Sequence, residues 1–217
     1  MMFINIDSAL NFLFPPVCGI CGNYNKTYLC KDCKKKITAV EEDNYNIYKD
    51  GNIKEHFWMF KYEGIIRSKL IDYKFNDKSY LFRMFCEMIY NSEKSMQYLA
   101  QMDYIIPVPI HKKRYLERGY NQCSLIAKKV CNKLNVQLLD GILVKSKNII
   151  PQSTLNKNER KLNIRGSYSV KEYFDLSGKK VAIFDDIYTT GSTINECSNV
   201  IKSLGCKNIY AFTIAKD

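Results

Sequence analysis

The chain has 217 residues, 46% of them hydrophobic, enough for a real core in one medium α/β domain with a small appendage. Nine cysteines with no secretory signal ahead of them argue against a disulfide framework and point to a soluble, cytosolic protein. The formal charge of +11 is gathered in the middle: residues 110–180 carry 16 Lys+Arg against 5 Asp+Glu, while residues 1–109 carry 14 against 13 and residues 181–217 carry 3 against 4.

Met1 to Phe14 is apolar, but it contains Asp7, lacks a basic leading region and falls short of the ~20 residues a membrane span needs. It reads as an amphipathic helix packing Leu10, Leu13 and Phe14 on the body. Two Cys-x2-Cys knuckles follow, Cys18/Cys21 and Cys30/Cys33. Four thiolates so spaced can close a tetrahedron around structural Zn²⁺, with no open position for chemistry. Free cysteines, disulfides or an iron–sulfur cluster are the weaker readings.

His56 to Tyr62 reads as an aromatic strand, and Ile65–Phe75 and Tyr80–Leu99 as helices with apolar residues three or four apart. Arg67, Lys69, Lys74 and Lys78 lie on or beside the first helix. Aromatic and basic residues mixed in this way can stack on single-stranded nucleic acid. The commoner role for Phe57, Trp58 and Phe60 is core. With the knuckles, this stretch is expected to cap one end of a sheet.

Asp103 to Pro109 reads as a short strand ended by two prolines. Behind it lie Lys112, Lys113, Arg114, Arg118 and Gln122, on an expected anion-binding turn leading into a helix from about Tyr120 to Lys133. Such a basic run is either a solvated face or a contact for pyrophosphate or DNA phosphate. The polar stretch from Leu143 to Tyr168, which contains Gln152 and Arg160, is long enough to suggest a mobile antiparallel flap that excludes water, with Arg160 as a further phosphate contact.

Val181 to Phe184 reads as a strand buried on both faces, and Ser192 to Leu204 as a helix. Between them stand Asp185, Asp186, Thr189, Thr190, Gly191, Ser192 and Thr193, at the sheet edge where open α/β folds bind ligands. Hydroxyls, a tight glycine turn and a helix N-terminus suit a phosphate. The acids would repel it and must face ribose hydroxyls or a divalent metal. No Gly-x4-Gly-Lys-[Ser/Thr] sequence exists to support a nucleoside-triphosphatase reading of the same strand.

Residues 181–193 resemble the phosphoribosyl-pyrophosphate (PRPP) binding motif of type I phosphoribosyltransferases. By that resemblance Asp185 and Asp186 hold the ribose hydroxyls, Thr189 to Thr193 wrap the 5′-phosphate, and Mg²⁺ accompanies PRPP. Taken with Cys18 to Cys33, Pro107-Val-Pro-Ile-His111, Arg118-Gly-Tyr-Asn-Gln122 and Gln152 to Arg160, the whole chain resembles the ComF family of competence-associated, phosphoribosyltransferase-like proteins. The resemblance implies a mostly parallel twisted sheet with helices on both faces, behind a small zinc module. It also implies a role in DNA uptake and natural transformation, with single-stranded DNA and uptake-machinery proteins as partners. The expected division is a helix and zinc module at 1–40, a linker and cap at 41–100, and a phosphoribosyltransferase-like domain at 101–217. Whether PRPP is turned over, merely sensed by a DNA-binding adaptor, or used in nucleobase salvage stays open at this point.

Overall fold

The computed structural model describes residues 15–146 and 166–217. The helix expected before Pro15, the tip of the expected flap and Arg160 lie outside the described residues.

A six-stranded sheet organises the chain. Its strands are β1 (Glu41–Ile47), β2 (Ile53–Lys61), β3 (Tyr104–Pro107), β4 (Gln137–Leu138), β7 (Lys180–Tyr188) and β8 (Asn208–Lys216), in the order β1-β2-β8-β7-β3-β4. Every neighbouring pair is parallel except β1–β2. The central strands β7 and β8 are almost continuously apolar because both of their faces are covered, as parallel strands require. A two-stranded antiparallel ribbon, β5 (Leu143–Lys145) with β6 (Tyr168–Val170), stands apart from the sheet and forms the base of the expected flap.

Residues 41–100 do not form a separate cap. β1 and β2 extend the sheet beside β8, and the helices that follow cover one of its faces. On that face lie α1 (Lys31–Thr38), α2 (Gly64–Phe75), α3 (Phe82–Asn91), α4 (Glu93–Ala100) and α6 (Gln122–Leu134). The opposite face carries α7 (Ser192–Lys202) and the ribbon. Phe57 and Phe60 are core residues, with Phe57 stacked 5.5 Å from Phe212.

The single helix expected over Tyr80–Leu99 is broken at Ser92. Apolar spacing continues through the break, but the Ser92 hydroxyl accepts from the Ser95 N–H at 3.1 Å and caps α4 as a new helix. The zinc module is docked rather than tethered. Cys18, Leu29, Cys33 and Ile37 join the main core, and a Cβ on Gly19 would lie 2.6 Å from the Met84 sulfur of α3. Glu87 accepts from the Tyr28 N–H at 2.9 Å, and the Arg83 guanidinium lies 5.1 Å from the Tyr28 ring centre.

Candidate functional site

The acids occupy the sixth and seventh positions of β7. Alternation along a strand sends Asp186 to the side of Ala182 and Phe184, and Asp185 to the side of Val181 and Ile183. The β3 ladder ends at the Pro107–Phe184 pair, just before the acids. α6 begins beside that edge: Asn121 donates to the Val108 carbonyl at 3.1 Å and accepts from the Cys123 N–H at 3.0 Å. Cys123 is thereby set against the acids, its thiol donating to Asp185 Oδ1 at 3.5 Å. Cys123 Sγ and an oxygen from each acid lie within 4.8 Å of one another.

Lys74 reaches the same place from α2, its Nζ 2.8 Å from Asp186 Oδ1. Asp186 Oδ2 has no hydrogen-bond partner among the described residues. Burial, and then the charge of Asp186, pushes Asp185 up to about 7, with Lys74 opposing. Burial alone would lower Lys74, but Asp186 and Asp185 outweigh it and hold the ammonium above its ordinary value. Burial and both acids drive the Cys123 thiol well up, so it stays protonated. From the ribbon, Lys145 lies 5.1 Å over the Tyr168 ring; burial lowers its proton affinity, Asp185 raises it and Arg114 lowers it further.

The hydroxyl loop follows directly. The Thr190 and Ser192 hydroxyls are 2.7 Å apart, and the Ser192 N–H reaches Thr190 Oγ1 at 3.4 Å. Gly191 has φ +74° and precedes α7 with no side-chain cap on that helix. Any Cβ there would also lie 2.3 Å from the Tyr188 hydroxyl oxygen, so glycine is favoured both by the backbone and by the approach of this side chain. Thr189 is half-buried at the end of β7, and Thr193 hydrogen-bonds Tyr168 of the ribbon. Loop, acids and ribbon base therefore form one site.

The expected anion-binding turn after β3 is instead a short helix, α5 (Lys112–Arg118), capped by His111, whose Nδ1 accepts from the Lys113 N–H. Lys112 and Lys113 are exposed on it beside Tyr115 and Leu116, and Arg114 is half-buried. Arg118 hydrogen-bonds Gln122 and lies 5.6 Å over the Phe75 ring, so these two residues meet each other and the end of α2.

Sequence reasoning missed Lys74 and Cys123 as members of the site, and Lys145 with them. One signal was available for Lys74. Ile66, Leu70 and Tyr73 mark the buried face of α2, and Lys74, four residues beyond Leu70, falls on it. Nothing in the spacing of Cys123 distinguishes it from an ordinary buried cysteine.

A cavity of about 420 Å³ opens on the α7 side, lined by Tyr48, Ile53, His56, Tyr188, Asn195 and Ser198 among others, but not by the acids. His56 is fully buried there, with Nε2 2.8 Å from Thr213 Oγ1 and its ring stacked 4.3 Å from Tyr188. Burial, helped by Lys216, holds it neutral by lowering its pKa to about 3.

At the amino-terminal end the four sulfurs of Cys18, Cys21, Cys30 and Cys33 lie within 4.8 Å of one another, with Cys21 and Cys30 3.9 Å apart. Tetrahedral zinc with Zn–S bonds of about 2.3 Å requires sulfurs about 3.8 Å apart, so the donor set fits. The Cys30 N–H points at the Cys18 sulfur at 3.4 Å. Burial would raise Cys18, but such backbone N–H groups pull it down to about 7, favouring the thiolate a metal binds. All four positions are filled by protein, which makes the site structural.

Residues 9–44 match the double zinc ribbon domain family. The chain is 26% identical to Competence protein F of Haemophilus influenzae, over 93% of this chain and 85% of that protein. It is 25% identical to Competence protein ComFC of Streptococcus pneumoniae, over 86% and 80%. Solved structures similar to it include a purine phosphoribosyltransferase from Pyrococcus horikoshii at 18% identity, covering 64% of this chain and 85% of that one with a TM-score of 0.40. An adenine phosphoribosyltransferase from Thermoanaerobacter pseudethanolicus matches at 14% identity over 85% and 99%, with a TM-score of 0.42. The resemblance to competence proteins of the ComF type extends over most of the chain and the match to the double zinc ribbon family lies at its amino-terminal end; the mostly parallel sheet with helices on both faces is the expected α/β fold. No helix among the described residues is long and apolar enough to cross a membrane.

Proposed function

We propose that this chain binds PRPP at Asp185, Asp186 and Thr189 to Thr193, and that it serves DNA uptake by handling incoming single-stranded DNA in the cytoplasm. The observation that carries the reading is one continuous piece of chain, β7 to α7, that puts two buried carboxylates and a hydroxyl-lined glycine turn side by side. The phosphate goes to the loop, where Thr190, Ser192 and the first turn of α7 offer donors. The ribose hydroxyls donate to the carboxylates, which can only accept once ionised. Lys145, close enough to feel the charges of both Asp185 and Arg114, suits the pyrophosphate together with Arg114, and Lys112, Lys113 and Arg118, with the neutral Gln122 beside Arg118, are further candidate phosphate contacts; Arg160, outside the described residues, is a candidate from the sequence alone. Mg²⁺ would arrive with the pyrophosphate and neutralise it. If the sugar is transferred, the bond from C1 to the pyrophosphate oxygen breaks as the bond to the acceptor forms, and the site contributes positioning and charge rather than a covalent nucleophile.

The relatives' names support the link to competence. The test is thermal unfolding with PRPP and Mg²⁺. PRPP should raise the midpoint in the wild type and leave Asp185→Asn/Asp186→Asn unmoved; an unmoved wild type would end the PRPP reading.

A second reading, an adaptor that grips DNA and only senses PRPP, draws on α5, where exposed Lys112 and Lys113 flank Tyr115 at 50% exposure and Leu116 at 73%. Pyrophosphate release in the presence of candidate acceptors separates the two. The same samples should bind single-stranded oligonucleotide with strong salt dependence, weakened in Lys112→Ala/Lys113→Ala; salt-independent binding would remove DNA from the proposal.

A further inference from the structure

Cys123 Sγ and the carboxylates of Asp185 and Asp186, within 4.8 Å of one another, have the outline of a metal site. Its cation is already supplied by the chain. Lys74 Nζ sits 2.8 Å from Asp186 Oδ1, the distance of a direct charge-assisted hydrogen bond, on a side chain 19% exposed beside a carboxylate only 3% exposed. A divalent ion entering the same oxygens would meet that ammonium within a few ångströms in a poorly screened environment.

We propose that Lys74 is the resident counter-cation of the acid pair, a specificity-determining residue that denies Asp185 and Asp186 a divalent metal of their own and reserves their oxygens for sugar hydroxyls. The second half of that statement rests on the PRPP reading above.

Four further observations agree. The acids hold Lys74 protonated in spite of its burial. Cys123, which would have to lose its proton to ligate a metal, is held as the thiol by burial and by both acids. On the other flank Lys145, with the Tyr168 ring beneath its ammonium, is near enough to feel the charges of Asp185 and Arg114. Asp186 Oδ2, buried and without a partner among the described residues, is an acceptor waiting for a donor. A hydroxyl supplies one; a metal would have to expel Lys74 to be held by both oxygens. The residues therefore do not fit a metal resident on the acid pair, and any Mg²⁺ belongs to the ligand's pyrophosphate.

The experiment uses the full, zinc-loaded chain and Mn²⁺ alone, followed by electron paramagnetic resonance, with no sugar present. Wild type should show no Mn²⁺ site that depends on Asp186. Lys74→Met should gain one such site per chain, with an affinity at least about tenfold above the detection limit that bounds the wild type, the effect expected from removing one nearby unit charge. Adding Asp186→Asn to Lys74→Met should abolish it, and Lys74→Arg, which keeps the charge, should not acquire it. Lys74→Gln serves if the methionine variant does not fold. Wild-type Mn²⁺ binding that Asp186→Asn removes, or a folded Lys74→Met or Lys74→Gln with no new site, would overturn the assignment. PRPP added to the same samples separates the two claims: the expected Mn²⁺ pattern with no response to PRPP upholds the counter-cation and overturns the sugar half.

Discussion

Replacing Gly191 by alanine tests whether Tyr188 and the hydroxyl loop form one mechanical unit. Gly191 and Gly178 share a φ of +74°, so an alanine at either position bears the left-handed penalty of about 1–2 kcal/mol. Only at Gly191 is there also a neighbour in the way, with the Tyr188 hydroxyl oxygen 2.3 Å and the ring carbon that bears it 2.6 Å from the new Cβ; at Gly178 nothing lies within 4 Å. The Tyr188 ring must therefore move, and moving it disturbs the stack with His56 at 4.3 Å, worth about 0.5–1.5 kcal/mol. Gly178→Ala should cost about 1–2 kcal/mol and Gly191→Ala about 1.5–3.5 kcal/mol in urea unfolding. The difference between the two is the informative quantity, since the backbone penalty cancels. Equal losses would refute a rigid packing of Tyr188 beneath the loop.

Two other outcomes can be checked. Asp185 titrates near 7 in the folded chain against about 3.9 when free, so the folded state keeps a proton that the unfolded state has released, and this group's contribution to stability declines as pH rises from about 4 to about 7. Asp185→Asn should therefore gain stability relative to wild type across that window; parallel curves would contradict the shift. Because the zinc module is packed into the main core through Cys18, Leu29, Cys33 and Ile37, chelation or Cys30→Ser should lower the melting temperature of the whole chain rather than release one end. Metal analysis should find one zinc bound by this cysteine set, and a metal-free protein of unchanged stability would rule the assignment out.

The parts of the fold that were legible in sequence are those where a local pattern and its burial agree. Val181 to Phe184 is a four-residue apolar run because both faces of β7 are covered, and the loop after it announces itself through its hydroxyls and Gly191. β1, Glu-Glu-Asp-Asn-Tyr-Asn-Ile, is a polar edge strand whose two apolar residues, Tyr45 and Ile47, are both exposed, so its place in the sheet could not be read. α5 is seven residues long with no buried side chain, which leaves a helix no apolar stripe to reveal it. The acid pair's surroundings were hidden for another reason. Lys74, Cys123 and Lys145 come from three elements far apart in the chain, and only the sheet brings them together.

The order of the strands fixes when the fold can be completed. β8 lies in the middle of the sheet, between β2 and β7, yet its residues 208–216 follow those of every other strand in the chain. Until they are synthesised, β2 has no parallel neighbour and β7 lacks one edge, so the β1–β2 hairpin and the β7–β3–β4 block are two unjoined halves with exposed strand edges. A growing chain on the ribosome would carry its metal module and most of its helices before the keystone strand is made, and the sheet would assemble through pairings of long sequence separation, the slow kind.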